Sequence, residues 1–285
     1  MMIFCDGSFI DEKEAALPIT DRGFLFGDGV FTTLRLEDGN LWNFQAHVLR
    51  LKENCQRLGI RFPSIHLEDI QKLAVQNGAE KGLWRCKIIV TGGDSRSLAL
   101  EKERLGRLLI RLAPYNQEGY KDLSLGVMPS LYQGALQKIK SLSYLDKLQL
   151  KQRAIDSELD DILLFSEEKY LLECSFSNLF WVNGTELSYP DPCLNFLHGT
   201  SIQHLLHSVS KIGFSTLAKR ALLESLEKET QVYTINSLQG LLPVRCIHGR
   251  SFATNFKQWQ EISRVYKETM PLTYIGKTAI AESLQ

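Results

Sequence analysis

The sequence lacks an excess of charge of either sign, because 33 lysine and arginine residues balance 33 aspartate and glutamate residues. Such a chain has no overall field that would attract nucleic acid or an anionic membrane surface. It also lacks an apolar run of membrane-spanning length, and its N-terminus has no basic flank of the kind that a signal peptide carries. The composition therefore predicts a protein that acts on small molecules, folded as one large domain or two modest ones.

Cysteine is scattered along the chain and forms no recognisable motif. Neither a C-x-x-C pair nor a close cluster with histidine occurs among Cys5, Cys55, Cys86, Cys174, Cys193 and Cys246. We therefore expect no metal site and no disulfide framework, and we expect reduced thiols in a cytoplasmic protein.

A lysine in apolar or small surroundings is the first candidate for chemistry. Lys140 lies between Ile139 and Ser141, outside any charged surface run. Desolvation disfavours the ammonium form of such a lysine, and a neutral amine can form a Schiff base with a carbonyl compound. A lysine considered alone is nevertheless usually a solvated surface residue.

Glu173 opens the second segment of interest, ECSFSNLFW, which ends in an apolar run that suits a buried strand. A buried carboxylate at this position needs a cationic partner. A glutamate at the end of a strand is more often simply solvated, so the two segments gain weight only when they are considered together.

The order of IKSLSYL and ECSFSNLFW resembles the fold-type IV family of pyridoxal-phosphate (PLP) enzymes, which contains the class-IV aminotransferases and aminodeoxychorismate lyase. In that family a lysine carries PLP covalently, and a glutamate in an E-x-x-x-x-N-[LI]-F segment binds the pyridine nitrogen. The resemblance implies PLP as cofactor, Lys140 as its attachment point and catalytic base, and Glu173 as the partner of the pyridine nitrogen.

The segment DRGFLFGDGVF is similar to the N-terminal signature of the same family, in which the following strand lines the active site. On the predicted strand Val30–Glu37, alternation places Phe31, Thr33 and Arg35 on one face and mostly core residues on the other. The residues alone favour solvent exposure for Arg35. The resemblance implies that all three contact the substrate.

A predicted helix, Phe44–Leu58, begins after Asn43 as its N-cap and ends at Gly59. Its polar stripe is compatible with a solvated face. The resemblance instead implies that Arg50 binds the PLP phosphate, because the several donors of a guanidinium group suit a dianion. It implies that His47 is a neighbour that orients Arg50.

Gly199, Thr200 and Ser201 precede an apolar-periodic helix, and backbone N–H groups at a helix start form an anion site. The resemblance assigns this helix start to the PLP phosphate. The family's aminotransferases usually read G-I-T-R at this place, whereas this chain reads Gly199-Thr200-Ser201-Ile202 and lacks the arginine of that motif. It assigns the last phosphate contacts to the turn that contains Asn236 and Ser237.

The polar loop Thr91–Gly106 carries a glycine pair and Arg96, but it has no G-x-x-x-x-G-K-[ST] phosphate loop. In the resembling family this loop approaches the carboxylate of the substrate. Arg96 is therefore the candidate for that contact, and the sequence does not rank it against Arg107.

The fold implied by the resemblance is mixed α/β, with a small α/β domain over residues 1–116 and a larger PLP-binding domain over residues 117–285. The turn-rich segment Pro114–Tyr120 is the candidate linker. The resemblance also places the cofactor at the domain interface and implies a homodimer in which the partner subunit completes the pocket. Before the linker, periodicity predicts a helix over Ile65–Val75 with Ser64 as its N-cap.

The run GDGVFTTLR resembles the GDG-x-F-T-T-x-R run of aminodeoxychorismate lyase. This implies elimination of pyruvate from 4-amino-4-deoxychorismate to give p-aminobenzoate for folate synthesis. Two alternatives remain open: an aminotransferase that acts on D-amino acids or branched-chain L-amino acids, and a non-catalytic α/β binding protein in which Lys140 and Glu173 are structural.

Overall fold

A computed structural model describes residues 1–94, 97–130 and 135–276. The chain divides into two compact units. The first unit contains Met1–Gln117, the short segment Lys140–Ser143 and a C-terminal segment that begins at Pro271. The second unit contains Glu118–Ile139 and Tyr144–Met270. The mixed α/β class predicted from the sequence is confirmed.

Nine strands and three α-helices are described in the first unit. In chain order they are β1 (Met2–Cys5), β2 (Ser8–Asp11), α1 (Arg22–Phe26), β3 (Gly29–Glu37), β4 (Asn40–Trp42), α2 (Phe44–Arg57), β5 (Ile60–Arg61), α3 (Leu67–Asn77), β6 (Leu83–Thr91), β7 (Arg104–Leu105), β8 (Leu108–Pro114) and, late in the chain, β18 (Leu272–Tyr274). Seven of the strands form one sheet in the order β18-β4-β3-β6-β8-β1-β2, and β5 pairs with β7.

The two faces of this sheet differ in character. Strand β3 pairs antiparallel with β6, and β6 pairs antiparallel with β8. Residues that lie directly opposite each other share a face. One face carries fully buried apolar rows such as Leu34, Cys86 and Leu112. The opposite face carries the row Thr33, Lys87 and Arg111, which is polar and basic.

Most predicted elements of this unit are found near their expected bounds, but α3 begins later than predicted. Its N-cap position is His66, whose side chain makes no capping hydrogen bond, so the prediction of Ser64 as N-cap was wrong. The later start places Glu68 and Asp69 in the first turn, where acidic side chains interact favourably with the helix dipole. Asn43 does occupy the N-cap position of α2, although without a side-chain capping bond.

The second unit is built on a nine-stranded sheet with helices α4 (Leu145–Asp156), α5 (Thr200–Ser208) and α6 (Phe256–Glu268). Its strands are β9 (Leu123–Pro129), β10 (Asp161–Phe165), β11 (Leu171–Cys174), β12 (Asn178–Asn183), β13 (Glu186–Pro190), β14 (Ser215–Lys219), β15 (Gln231–Asn236), β16 (Gly240–Ile247) and β17 (Arg250–Ser251). The order is β11-β10-β9-β16-β15-β12-β13-β14, and β17 pairs with β16. Because β11 also pairs with β12, the first six strands close into a ring.

The core of the second unit lies on this sheet and includes the large buried side chains Phe180, Trp181 and Tyr233. Phe180 and Tyr233 stack with their ring centroids 5.1 Å apart. Among the described residues, no helix combines the length and the apolar character that crossing a membrane requires.

Candidate active site

The main chain around Lys140 is hydrogen-bonded to β3, the strand that begins within the segment DRGFLFGDGVF. The N–H of Phe31 donates to the carbonyl oxygen of Lys140, and the N–H of Leu142 donates to that of Gly29, both at 2.9 Å. The Nζ atom of Lys140 lies 4.7 Å from the centre of the Phe31 ring. A Cβ atom at Gly29 would lie 2.6 Å from the carbonyl oxygen of Val90, so only glycine permits this close packing. Lys140 itself lies outside the regular strands, and these main-chain hydrogen bonds to β3 hold the segment that presents its amine.

The acidic residues of the DRGFLFGDG signature are structural. Asp28 accepts hydrogen bonds from Arg22 at 2.6 Å and from Arg104 at 2.5 Å, and all three side chains are almost completely buried. Asp21 caps α1 and accepts a hydrogen bond from the Thr91 hydroxyl at 2.7 Å. These contacts fix the approach to β3, and so the signature acts by holding the strand in place.

The sheet face that carries Phe31, Thr33 and Arg35 also carries Lys87, a cation on the neighbouring strand β6 that the sequence did not reveal. Lys87 lies directly opposite Thr33, and its Nζ atom is 4.6 Å from the centre of the same Phe31 ring that Lys140 approaches. Burial lowers the pKa of Lys87, and the charges of Arg85 and Arg111 lower it further. Within the described part of the first unit, Lys87 pairs with no carboxylate. A substrate anion would form an ion pair with this half-buried ammonium group.

Arg35 is held by protein partners. Its guanidinium group makes a two-bond contact with Glu37, donates to Gln117 at 2.7 Å and stacks on the Trp42 ring at 4.7 Å. Only 7% of Arg35 is exposed, in contrast to the solvated side chain that the residues alone favoured. A substrate would have to replace one of these partners in order to reach it, so Lys87 is the better placed cation on this face.

Arg50 and His47 meet at one hydroxyl group on β3. Arg50 donates to the Thr32 hydroxyl at 3.0 Å, and the same oxygen lies 2.7 Å from Nδ1 of His47. Burial lowers the pKa of His47 well below its ordinary value, and the charges of Arg50 and Lys140 add to the effect. A neutral imidazole can accept at Nδ1, so Thr32 can donate to His47 while it accepts from Arg50. This network orients the guanidinium group.

Glu173 and Asn178 lie opposite each other where β11 pairs with β12. Both side chains reach the segment that precedes α5. The N–H of Leu197 donates to Glu173 at 3.3 Å, while Asn178 accepts from the Gly199 N–H at 3.0 Å and donates to the Leu197 carbonyl at 2.7 Å. The spacing of five residues in the E-x-x-x-x-N motif therefore joins the hairpin to the start of the helix.

Glu173 is buried and has the cationic partner that its position requires. The Nζ atom of Lys147, on α4, donates to Oε1 of Glu173 at 2.9 Å. That oxygen also accepts the hydrogen bond from Leu197. Among the described residues, no donor is bonded to the second oxygen, Oε2. The carboxylate thus keeps one oxygen for a further donor.

The start of α5 is buried and tightly packed. Gly199 occupies the N-cap position, and both Thr200 and Ser201 are buried. A Cβ atom at Gly199 would lie 2.2 Å from Oδ1 of Asn178. The position of this helix start therefore depends on the glycine, and the phosphate contacts predicted for Gly199, Thr200 and Ser201 remain predictions.

Asn236 acts within its own turn. Its Oδ1 atom accepts hydrogen bonds from the N–H groups of Leu238 at 3.0 Å and Gln239 at 2.8 Å. The side chain therefore shapes the turn between β15 and β16 that contains Ser237. The predicted phosphate contacts of Asn236 and Ser237 remain predictions.

The two candidate arginines for the substrate carboxylate differ. Arg96 lies outside the described residues. Arg107 has three carboxylate partners, with Asp6 at 3.0 Å, Asp21 at 3.5 Å and Asp94 in direct contact. The hydrogen bonds and charges of Asp94 and Asp6 raise the pKa of Arg107, and its three contacts indicate a structural role.

Sequence reasoning missed Lys87, Lys147 and the hydroxyl of Thr32. Trp84–Val90 alternates between apolar and polar residues as a strand does, and this alternation places Lys87 on the face opposite the apolar residues, so part of the signal was present. The strand register, which sets Lys87 beside Thr33, is a long-range property. Lys147 carried no signal, because a lysine on an amphipathic helix ordinarily faces solvent.

Comparison with known proteins gives one family match and several full-length relatives. The sequence model of the amino-transferase class IV family matches residues 29–247. A protein of Methanocaldococcus jannaschii, provisionally named a branched-chain-amino-acid aminotransferase, is 26% identical over 278 residues, which are 94% of each chain. The aminodeoxychorismate lyase of Bacillus subtilis is 27% identical over 253 residues, which are 85% of each chain.

Solved structures show the same fold at lower identity. The branched-chain aminotransferase of Thermoproteus uzoniensis with norvaline superposes with a TM-score of 0.84 at 20% identity and covers 94% of both chains. A hypothetical aminotransferase of Mycobacterium tuberculosis, in the form that binds alpha-ketoglutarate and PMP, gives a TM-score of 0.81 at 18% identity, covering 95% of this chain and 99% of that one.

Proposed function

Because this chain belongs to the amino-transferase class IV family, we propose that it is a PLP-dependent 4-amino-4-deoxychorismate lyase, which releases pyruvate and forms p-aminobenzoate for folate synthesis. The family predicted from the segments around Lys140 and Glu173 is confirmed. Relatives of nearly equal identity include both lyases and aminotransferases, so the choice of reaction is our proposal.

PLP is the cofactor of this enzyme family, and the donor set of the chain fits it. Lys140 offers an amine, Glu173 offers an oxygen to the pyridine nitrogen, and the start of α5 offers backbone N–H groups to a phosphate. Arg50, oriented by Thr32, would add a guanidinium contact. When it is bound, PLP supplies an electron sink for the carbanion.

Lys140 would then hold the cofactor and, once released, take the proton from the ring carbon that bears the amine of the substrate. Loss of that proton and cleavage of the C–O bond to the enolpyruvyl group would make the ring aromatic, and the enolpyruvate that leaves would take up a proton to become pyruvate. Glu173 would hold a proton on the pyridine nitrogen, because a neighbouring anion favours the cationic form.

The observation that carries the choice of a lyase is the face of β3 and β6 that holds Phe31, Thr33 and Lys87. These residues suit a cyclic substrate that bears carboxylates. They provide an aromatic ring, a hydroxyl group and a cation, and the cation has no carboxylate partner in the described part of its unit. An apolar branched side chain would leave the charge of Lys87 without a partner. Lys87 is therefore our candidate for a substrate carboxylate, beside Arg96, the candidate that the sequence offered for that contact.

An aminotransferase remains the second candidate, and the observation in its favour is the Methanocaldococcus jannaschii relative, which matches 94% of the chain. The test compares kcat/KM for 4-amino-4-deoxychorismate with the values for D-alanine and L-valine, each supplied with 2-oxoglutarate. We expect the first value to exceed the others by about 100-fold. Faster turnover of either amino acid would overturn the lyase proposal.

We also propose that the chain forms a homodimer and acts in the cytoplasm. Ile19, Phe24, Leu25 and Phe26 are all exposed in or just before α1, and a concentration of apolar surface of this kind marks an interaction site. The free cysteines support a reducing compartment. Sedimentation equilibrium should give a dimer for the wild type and a lower mass for Phe24→Ser, whereas a monomeric wild type would contradict the proposal.

A further inference from the structure

The two oxygens of the Glu173 carboxylate have different surroundings. Oε1 accepts from Lys147 at 2.9 Å and from the Leu197 N–H at 3.3 Å. Oε2 takes no hydrogen bond from a described residue. Glu173 is therefore held through one oxygen and can offer the other to a donor that enters the site.

Lys147 is well shielded from water. Its side chain is 18% exposed and that of Glu173 is 9% exposed, so the charges interact more strongly than an exposed pair would. Lys147 projects from the first turn of α4, whereas Glu173 lies in β11. The pair joins two elements within the second unit, and its geometry does not depend on a flexible segment.

We propose that Lys147 is a positioning residue that sets how strongly Glu173 holds the pyridine nitrogen of PLP. Lys147 fixes Oε1 and leaves Oε2 for the ring N–H. At the same time its positive charge already offsets part of the negative charge of the carboxylate. A protonated pyridine ring is therefore attracted less strongly to Glu173 than it would be to a glutamate without an ion pair. The ring N–H and the Lys147 ammonium group would also repel each other, because both are cations bound to one carboxylate.

Two effects of removing Lys147 oppose each other. Glu173 would lose one hydrogen bond, which loosens its orientation, but it would keep the bond from Leu197 and its strand pairing with Asn178. It would also lose the competing cation. Because the bond from Leu197 still holds Oε1 and the strand pairing keeps the main chain of Glu173 in place, the loss of competition dominates, and the hold on the ring nitrogen becomes stronger.

A purely structural ion pair gives a different expectation. If Lys147 only neutralised a buried carboxylate, its loss would weaken binding of any cofactor analogue to the same extent, whether or not the analogue had a ring nitrogen. Comparing PLP with the analogue in which a C–H group replaces that nitrogen separates the two accounts. The measurement uses affinity alone and depends on the cofactor rather than on the lyase reaction, so its failure is distinct from failure of the proposed function.

The experiment measures the dissociation constants of PLP and of this carbon analogue for the reconstituted full chain, as the wild type and as Lys147→Gln. We expect Lys147→Gln to raise the preference for PLP over the analogue about tenfold, or about 1.4 kcal/mol. Lys147→Arg should keep the wild-type preference. An unchanged or smaller preference in Lys147→Gln would overturn the proposal.

Lys151→Gln is the matched control, because Lys151 lies one turn further along α4 and its Nζ donates to the Asp160 carbonyl oxygen. Its preference should equal that of the wild type. If Lys147→Gln does not fold, Lys147→Gln/Glu173→Gln replaces the ion pair with two amides. Its preference should match that of Glu173→Gln alone, since Lys147 acts through the charge of Glu173. A difference between these two variants would overturn the proposal.

Discussion

Lys140 is held through its main chain, whereas Glu173 is held through its side chain. Lys140 is fixed by main-chain hydrogen bonds to β3, so its side chain can be changed without disturbing those bonds. Glu173 is held through its carboxylate, by Lys147 and by the N–H of Leu197. Substitution of Glu173 therefore affects the position of its neighbours as well as its own chemistry.

For Glu173→Gln we expect retention of PLP and a loss of about 100-fold in kcat, because a neutral amide no longer favours a proton on the pyridine nitrogen. Visible absorption of the bound cofactor reports retention, and steady-state kinetics report the rate. The matched control is Glu186→Gln, which breaks an exposed ion pair with Lys219. Kinetics of Glu173→Gln equal to those of the control would contradict the assignment.

For Lys87→Met we expect KM for 4-amino-4-deoxychorismate to rise about tenfold with kcat nearly unchanged, because a charged hydrogen bond to the ground state and the transition state alike is lost. Arg85→Gln is the control on the same face of β6, two residues earlier and exposed. An unaltered KM in Lys87→Met would remove Lys87 from the substrate contacts.

The residues found from the sequence are those that lie inside short motifs. Lys140, Glu173 and the glycine before α5 belong to such segments, and local order along the chain reveals them. Lys87 and Lys147 depend on which strand or helix lies beside which, and that information is not local. The side chain of Arg35 shows the same limit, since alternation predicts its face but not its pairing with Glu37.

At the level of elements, the hairpin of β11 and β12 positions the start of α5. Asn178 contacts both the carbonyl of Leu197 and the N–H of Gly199. The predicted buried strand and the helix were found, but the contact between Asn178 of β12 and the helix start was not predicted. A motif spacing indicates which residues act together, and only the packed structure shows how.

Gly199→Ala should weaken PLP binding about tenfold and destabilise the fold by about 1–3 kcal/mol, because the new Cβ would overlap Oδ1 of Asn178. Cofactor titration and urea unfolding measure the two effects. Gly119→Ala is the control, since a Cβ there meets no atom within 4 Å. PLP affinity in Gly199→Ala equal to that of the control would show that the packing at this helix start does not matter.

Over the whole molecule, the division into units follows contacts rather than sequence order. Lys140–Ser143 and the segment from Pro271 belong with Met1–Gln117. The sequence indicated a turn-rich linker near residues 114–120, because turn residues are a local signal. The return of two later segments to the first unit could not be predicted, because their strand pairings span more than a hundred residues.

The stability of the whole fold should fall in mild acid because of His47. Burial holds the pKa of His47 below its ordinary value of 6.5, so below about pH 6.5 the unfolded chain gains a proton that the folded chain does not. The unfolding free energy should therefore be lower at pH 5.5 than at pH 7.5, by at most about 1.4 kcal/mol for each pH unit below 6.5. Urea unfolding of His47→Gln should lack this part of the loss, and exposed His66→Gln should retain it. Equal losses in the two variants would contradict the buried neutral state of His47.

The most direct test of the account supplies 4-amino-4-deoxychorismate to the PLP-loaded wild type and to Lys140→Ala, and follows pyruvate and p-aminobenzoate together. We predict equal amounts of the two products from the wild type and neither product from Lys140→Ala, because the variant has no amine to hold the cofactor or move the proton. No p-aminobenzoate from the loaded wild type, or undiminished release from Lys140→Ala, would contradict the account.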